Sequence, residues 1–106
     1  RASADKDPEA DSGLSRKELR RLDAEKRKQL QPLKKRVDRL ERKIDELQQQ
    51  QQAIDAQLAD PALYSDDNSE TMTQLMQDKA YLAKDISELE EQWMQASEEY
   101  EEAKNN

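Results

Sequence analysis

Two runs of apolar residues, each repeating at alternating steps of three and four, constrain this chain more than any other feature. The first is Leu30, Leu33, Val37, Leu40, Ile44, Leu47, Gln51, Ile54 and Leu58. The second is Met72, Leu75, Lys79, Leu82, Ile86, Leu89, Trp93, Ala96 and Tyr100. Such spacing places one narrow stripe along a helix and asks for a second helix to cover it, the pattern of a coiled coil. Each run extends over 29 residues, roughly 43 Å of helix at 1.5 Å per residue. With 106 residues, 33% hydrophobic and 41% charged, one domain fits and a multilayer core around a catalytic cleft does not. There is no Cys and no His, which removes thiolate and imidazole chemistry and the usual zinc ligands. No catalytic residue, metal ligand, nucleophile–base pair or phosphate loop stands out, so the chain reads as a non-enzyme. Nothing apolar is long enough to span a membrane and no signal peptide is visible, so the expected location is cytoplasmic with no membrane partner. The first residue is Arg1 rather than Met, the expectation for a piece of something larger.

Between the runs lies LADPALYSDDNSE. A single helix through it would set Pro61, Ser65 and Asn68 on the stripe, and an interior proline costs about 3 kcal/mol. A turn over 60–68 is the better reading, with Asp60-Pro61 opening a short helical turn and Leu63 and Tyr64 folding back over the tip. Asp67 with Glu70 reads as a fresh cap for the second helix. Equal arms around a turn pair antiparallel. Two registers satisfy the pairing, one layering Trp93 with Leu40 and the other with Leu33. Gln51 and Lys79 fall in the same or neighbouring layers in both, either as a register device or as side chains that reach out of a thin seam.

Upstream, residues 1–13 (RASADKDPEADSG) carry no periodic apolar residue and read as a disordered linker. Ser15 and Glu18 form a capping box, flanked by Leu14 and Leu19 as a hydrophobic staple. Pro32 disfavours helical geometry at Gln31, and Leu19 and Leu22 are out of phase with the seam from Leu30. These features predict a break or kink near 29–32. The expected fold is therefore all-α: an antiparallel two-helix coiled-coil hairpin preceded by a shorter helix set off by a kink near Pro32. Its helices fall at about 15–30, 32–59 and 69–104, within a helical domain spanning 14–104.

Charge is unevenly placed. Residues 16–43 hold 13 Lys/Arg against 5 Asp/Glu, net +8, and the remainder holds 5 against 20, net −15, within an overall −7. Part of this asymmetry serves the hairpin, laying basic 34–43 beside acidic 85–102. The rest does not: Arg16, Lys17, Arg20, Arg21, Lys26, Arg27 and Lys28 precede the hairpin, and Lys35 and Arg39 continue an exposed stripe with Arg42. These residues are the candidate nucleic-acid contacts, since clustered cations on a helix suit a phosphate backbone without reading sequence. A solvated face with internal salt bridges explains the same pattern. No aromatic residue interleaves this basic stretch. The Glu98–Glu102 cluster reads as a solvated acidic face, and Trp93 as the largest core side chain.

The segment Gln31-Pro32-Leu33-Lys34-Lys35, then Leu40-Glu41 and Ile44, then Gln57-Leu-Ala-Asp-Pro-Ala-Leu-Tyr64, with Trp93 in the last helix, resembles the C-terminal coiled-coil domain of ABC-F ATPases. It is closer to the YheS-like branch than to the Uup-like branch. The resemblance covers about residues 15–103. It implies a parent with two tandem ATP-binding cassettes that uses ATP and Mg; this chain itself would hold no cofactor. It further implies action at the ribosome or on nucleic acid (DNA or ribosomal RNA), with linker 1–13 leading from the second cassette. The alternative function is a protein-interaction or regulatory arm acting on the parent cassettes or on ribosomal proteins.

Overall fold

The computed structural model describes residues 15–106. The expected linker 1–13 and Leu14 of the expected staple lie outside the described residues. Helix α1 spans Arg16–Leu58 and helix α2 spans Ser69–Asn105. They lie antiparallel, joined by two 3-10 turns at Pro61–Tyr64 and Asp66–Asn68. The helical hairpin anticipated from the two heptad runs is the observed architecture.

Helix α1 starts where the cap dictates. Ser15 is extended, and its Oγ accepts the Glu18 N–H at 3.1 Å, supplying one of the first-turn donors with a partner. The expected break near 29–32 is not present: α1 runs through Pro32 as one helix of 43 residues. Pro32 is exposed, whereas Leu30 and Leu33 beside it are half-buried. A proline on the solvent side leaves the carbonyl one turn back to water, and a packed stripe on the other side keeps the helix running. The expected separate helix 15–30 is therefore the first third of α1. Leu19, Leu22, Lys26 and Leu30 follow at steps of three, four and four, so Leu19 and Leu22 lie over the same side as the seam.

The tip is built from the Asp-Pro-x-x-Tyr segment. Asp60 adopts φ −75°, ψ 119°, the extended geometry a residue before proline prefers, and its Oδ1 accepts the Ala62 N–H at 3.0 Å. The Tyr64 hydroxyl donates to the Leu58 carbonyl at 2.6 Å, so the tip supplies a donor to the last turn of α1. Asn68 Nδ2 reaches back to the Ala62 carbonyl at 2.9 Å and Ser65 Oγ at 3.1 Å. The N-cap of α2 is consequently Asn68, with no side-chain capping bond, and not Asp67. Asp67 instead lies in the second 3-10 turn.

Every expected seam position from Leu30 to Leu58 is buried or half-buried, and so is every one from Met72 to Tyr100 except Lys79. The buried apolar residues are Val37, Leu47, Leu82, Ile86 and Ala96. Leu47, Leu82 and Ile86 form a cluster that Ile44, Ile54 and Leu89 extend. Two cross-helix ion pairs mark the register: Arg36–Glu99 at 3.5 Å and Lys79–Asp55 at 2.6 Å. Between them α1 advances from 36 to 55 while α2 runs back from 99 to 79, as antiparallel pairing requires. Trp93 shares a recess with Glu41 and Ile44, which selects the register of the Leu40 layer over that of Leu33. Lys79 leaves the seam to reach Asp55 and does not meet Gln51. Trp93 is half-buried, not enclosed, and its Nε1 is buried without a hydrogen-bond partner.

Candidate nucleic-acid interface

A helix repeats every 3.6 residues, so positions three, four and seven apart share a face. Lys17, Arg21, Lys28, Lys35, Arg39 and Arg42 obey this spacing. All six are exposed, and all lie opposite the seam. Two carboxylates flank this row at the same spacing, Glu25 beside Arg21 and Lys28 and Asp38 beside Lys35 and Arg42, and cations outnumber them six to two. A second row, Arg16, Arg20, Arg27 and Lys34, follows the flank of α1. Lys26 stands apart: it is half-buried and lies on the apolar side with Leu22 and Leu30. Eight of the nine sequence-derived candidates thus lie on two adjacent rows of one helix, and one turns away from them.

Ion pairing leaves these rows largely unengaged. Among the described residues, Arg36 pairs with Glu99, Lys43 with Glu46, Lys79 with Asp55 and Lys104 with Glu101. Lys17, Arg20, Arg21, Arg27, Lys28, Lys35, Arg39 and Arg42 belong to none of these pairs. The expected zipper of basic 34–43 against acidic 85–102 comes down to Arg36–Glu99 alone. Acidic side chains of α2 such as Glu91, Glu98 and Glu102 lie on its outer face, away from α1.

The overlap of the two helices also ends before α1 does. Arg36 is level with Glu99, so the remaining residues of α2 to Asn105 bring it level with about residue 30. Roughly 13 residues of α1, about 20 Å, therefore have no part of α2 beside them among the described residues. Leu22, 47% exposed, has no part of α2 over it among the described residues.

The residues that sequence reasoning did not single out come from the other strand of the hairpin. Tyr100 is carried back to α1, where it lines a recess of about 240 Å³ with Arg27, Leu30, Gln31 and Lys34. Lys104 Nζ lies 5.2 Å from the centre of the Tyr100 ring. Some 70 residues separate Arg27 from Tyr100, so no local pattern announces this pairing. The seam spacing and an assumed register were the available signals.

The extent and organisation of this hairpin agree with a known type of module. A family model described as the ABC transporter C-terminal domain matches residues 13–98. The chain belongs to this family. Comparisons with curated proteins and with solved structures find no match. The matched stretch takes in α1, the tip and most of α2, so the family assignment rests on the hairpin as a whole. As an ABC transporter C-terminal domain, the chain is an accessory domain of an ABC protein. None of the described helices is long and apolar enough to cross a membrane. No group of His, Cys, Asp or Glu suited to a metal ion occurs among the described residues.

Proposed function

We propose that this domain is a non-catalytic nucleic-acid-binding arm of an ABC-F type ATPase, holding DNA or ribosomal RNA by its phosphates. The observation that carries this reading is the outer face of α1, with six exposed cations from Lys17 to Arg42 flanked by only Glu25 and Asp38. That row is roughly 37 Å long at 1.5 Å per residue, about one turn of a duplex. The contacts would be to backbone, not base edges, because the row offers long cations and no recognition helix fitted to a groove. The parent's cassettes would bind ATP and Mg in the cytoplasm, and the arm would keep that ATPase on its nucleic acid or at the ribosome.

The test measures fluorescence anisotropy of a labelled DNA duplex and an rRNA hairpin across a salt series. Each phosphate neutralised contributes about 0.9 to the slope of log affinity against log salt on duplex DNA. Changing Arg21, Lys28, Lys35 and Arg39 together to Gln should weaken binding by at least about tenfold near 100 mM salt. The slope should fall by about 3 to 4. An unchanged slope, with helicity intact by circular dichroism, rules the reading out.

The exposed Leu22 favours a second reading, a regulatory arm that rests on the parent's cassettes. Its measurement is the parent's ATPase rate with Leu19 and Leu22 changed to Ser. No change in rate removes it.

A further inference from the structure

Tyr100 occupies the last position of the α2 seam, yet it is only half-buried, because the hairpin is one layer thick among the described residues. Its neighbours across the interface are Arg27, Leu30, Gln31 and Lys34, and together they leave a recess of about 240 Å³. Cations surround the ring. Lys104 lies 5.2 Å from its centre, and Arg27 and Lys34 belong to the same recess. Arginine and lysine gather at aromatic faces because the ring's quadrupole attracts positive charge.

The acidic residues on either side of Tyr100 are already engaged. Glu99 pairs with Arg36 and Glu101 with Lys104. Glu98 and Glu102 lie two residues to either side, on the far face of α2. Arg27 and Lys34, by contrast, are in none of the cross-helix or local ion pairs. The recess thus combines an accessible ring, an amide at Gln31 and two cations free to take an anion. It continues the Arg20–Arg27–Lys34 row of α1, so a strand lying along that row would reach it.

We propose that this recess is a seat for one unpaired nucleotide, with its base stacked on Tyr100 and its phosphate between Arg27 and Lys34. The proposal rests on the nucleic-acid reading given above and adds a preference for single strands. A base inside a duplex cannot reach the ring, whereas an unpaired base can. Stacking on an aromatic side chain tolerates any base, so the seat is not sequence-selective. The outer face of α1 holds backbone; the seat at the open end of the hairpin tells unpaired strand from duplex.

The experiment compares short oligo-dT, oligo-U and a DNA duplex by anisotropy, using the 106-residue chain and its Tyr100→Leu and Tyr100→Phe variants. Leucine preserves an apolar seam residue and removes the ring face; phenylalanine keeps the ring. Tyr100→Leu should weaken binding of both oligo-dT and oligo-U at least about fivefold, the loss of one stacked base. Duplex affinity and the salt slope should stay as in the parent chain, since no charge is lost. Tyr100→Phe should bind as the unaltered chain does. Single-strand binding that survives Tyr100→Leu overturns the seat, and so does an equal loss on single strand and duplex. Failure of the wider reading shows differently: the Gln variants of the outer face would leave duplex binding unchanged, a result that does not involve Tyr100.

Discussion

Ser15 and Tyr64 tend opposite ends of the same helix. Ser15 accepts a first-turn N–H, and Tyr64 donates to the last-turn carbonyl of Leu58. The two contributions differ in what replaces them. Ser15→Ala should cost about 1 kcal/mol, the usual worth of an N-cap, read as a shift of the urea midpoint. Tyr64 is 58% exposed, so water can take over its bond. Tyr64→Phe should accordingly cost under about 1 kcal/mol. Lys79 and Asp55 make a close ion pair at 2.6 Å, but both side chains are about half exposed. A double-mutant cycle on this pair should return a coupling of a few tenths of a kcal/mol that fades in high salt. A coupling of several kcal/mol would mean that the pair, and not the apolar seam, sets the register.

At the scale of the element, Pro32 is the instructive case. Sequence reasoning gave it the power to end a helix, and residues 15–30 were expected to form a helix of their own. In the folded chain α1 continues through it, because the ring sits on the solvent side while Leu30 and Leu33 hold the inner side. The proline is thus tolerated by α1 and not needed by it. Pro32→Ala should therefore stabilise the hairpin, by up to about 3 kcal/mol, measured by thermal or urea unfolding. A destabilised variant would show that the proline sets a bend the hairpin depends on. The tip illustrates the reverse. Asp60-Pro61 forms the short helical turn its chemistry suggests, but Asn68 turns its amide back to Ala62 and leaves α2 without a side-chain cap. Local signals place the turn, and a competing bond inside it moves the cap by one residue.

At the scale of the whole molecule, the described residues form two long helices and one seam. Among them no third helix packs on either, so each depends on the other for its buried face. Leu47 lies in the central cluster with Leu82 and Ile86. Leu47→Asp should lower the helical circular dichroism of α1 and α2 together, while the same change at exposed Leu22 should leave it nearly unchanged. Loss confined to one helix would contradict this interdependence. Charge is also organised at this scale, with cations on the outer face of α1 and carboxylates on the outer face of α2. The hairpin presents opposite signs on its two sides, and cross-helix pairing of Arg36 with Glu99 neutralises little of either.

Much of this was already present in the order of residues. Two heptad runs and a turn between them specify two helices, their buried faces and their antiparallel sense, because helical spacing and turn chemistry act over a few residues. The basic stretch of α1 is equally a matter of composition and spacing. Register, by contrast, was open between two layers, and the structure selected the one that puts Trp93 beside Glu41 and Ile44. The same choice sends Lys79 to Asp55 and brings Tyr100 to Arg27 and Lys34. These are contacts between residues far apart in the chain. They depend on how two finished helices slide and close against each other, which no short stretch of sequence encodes.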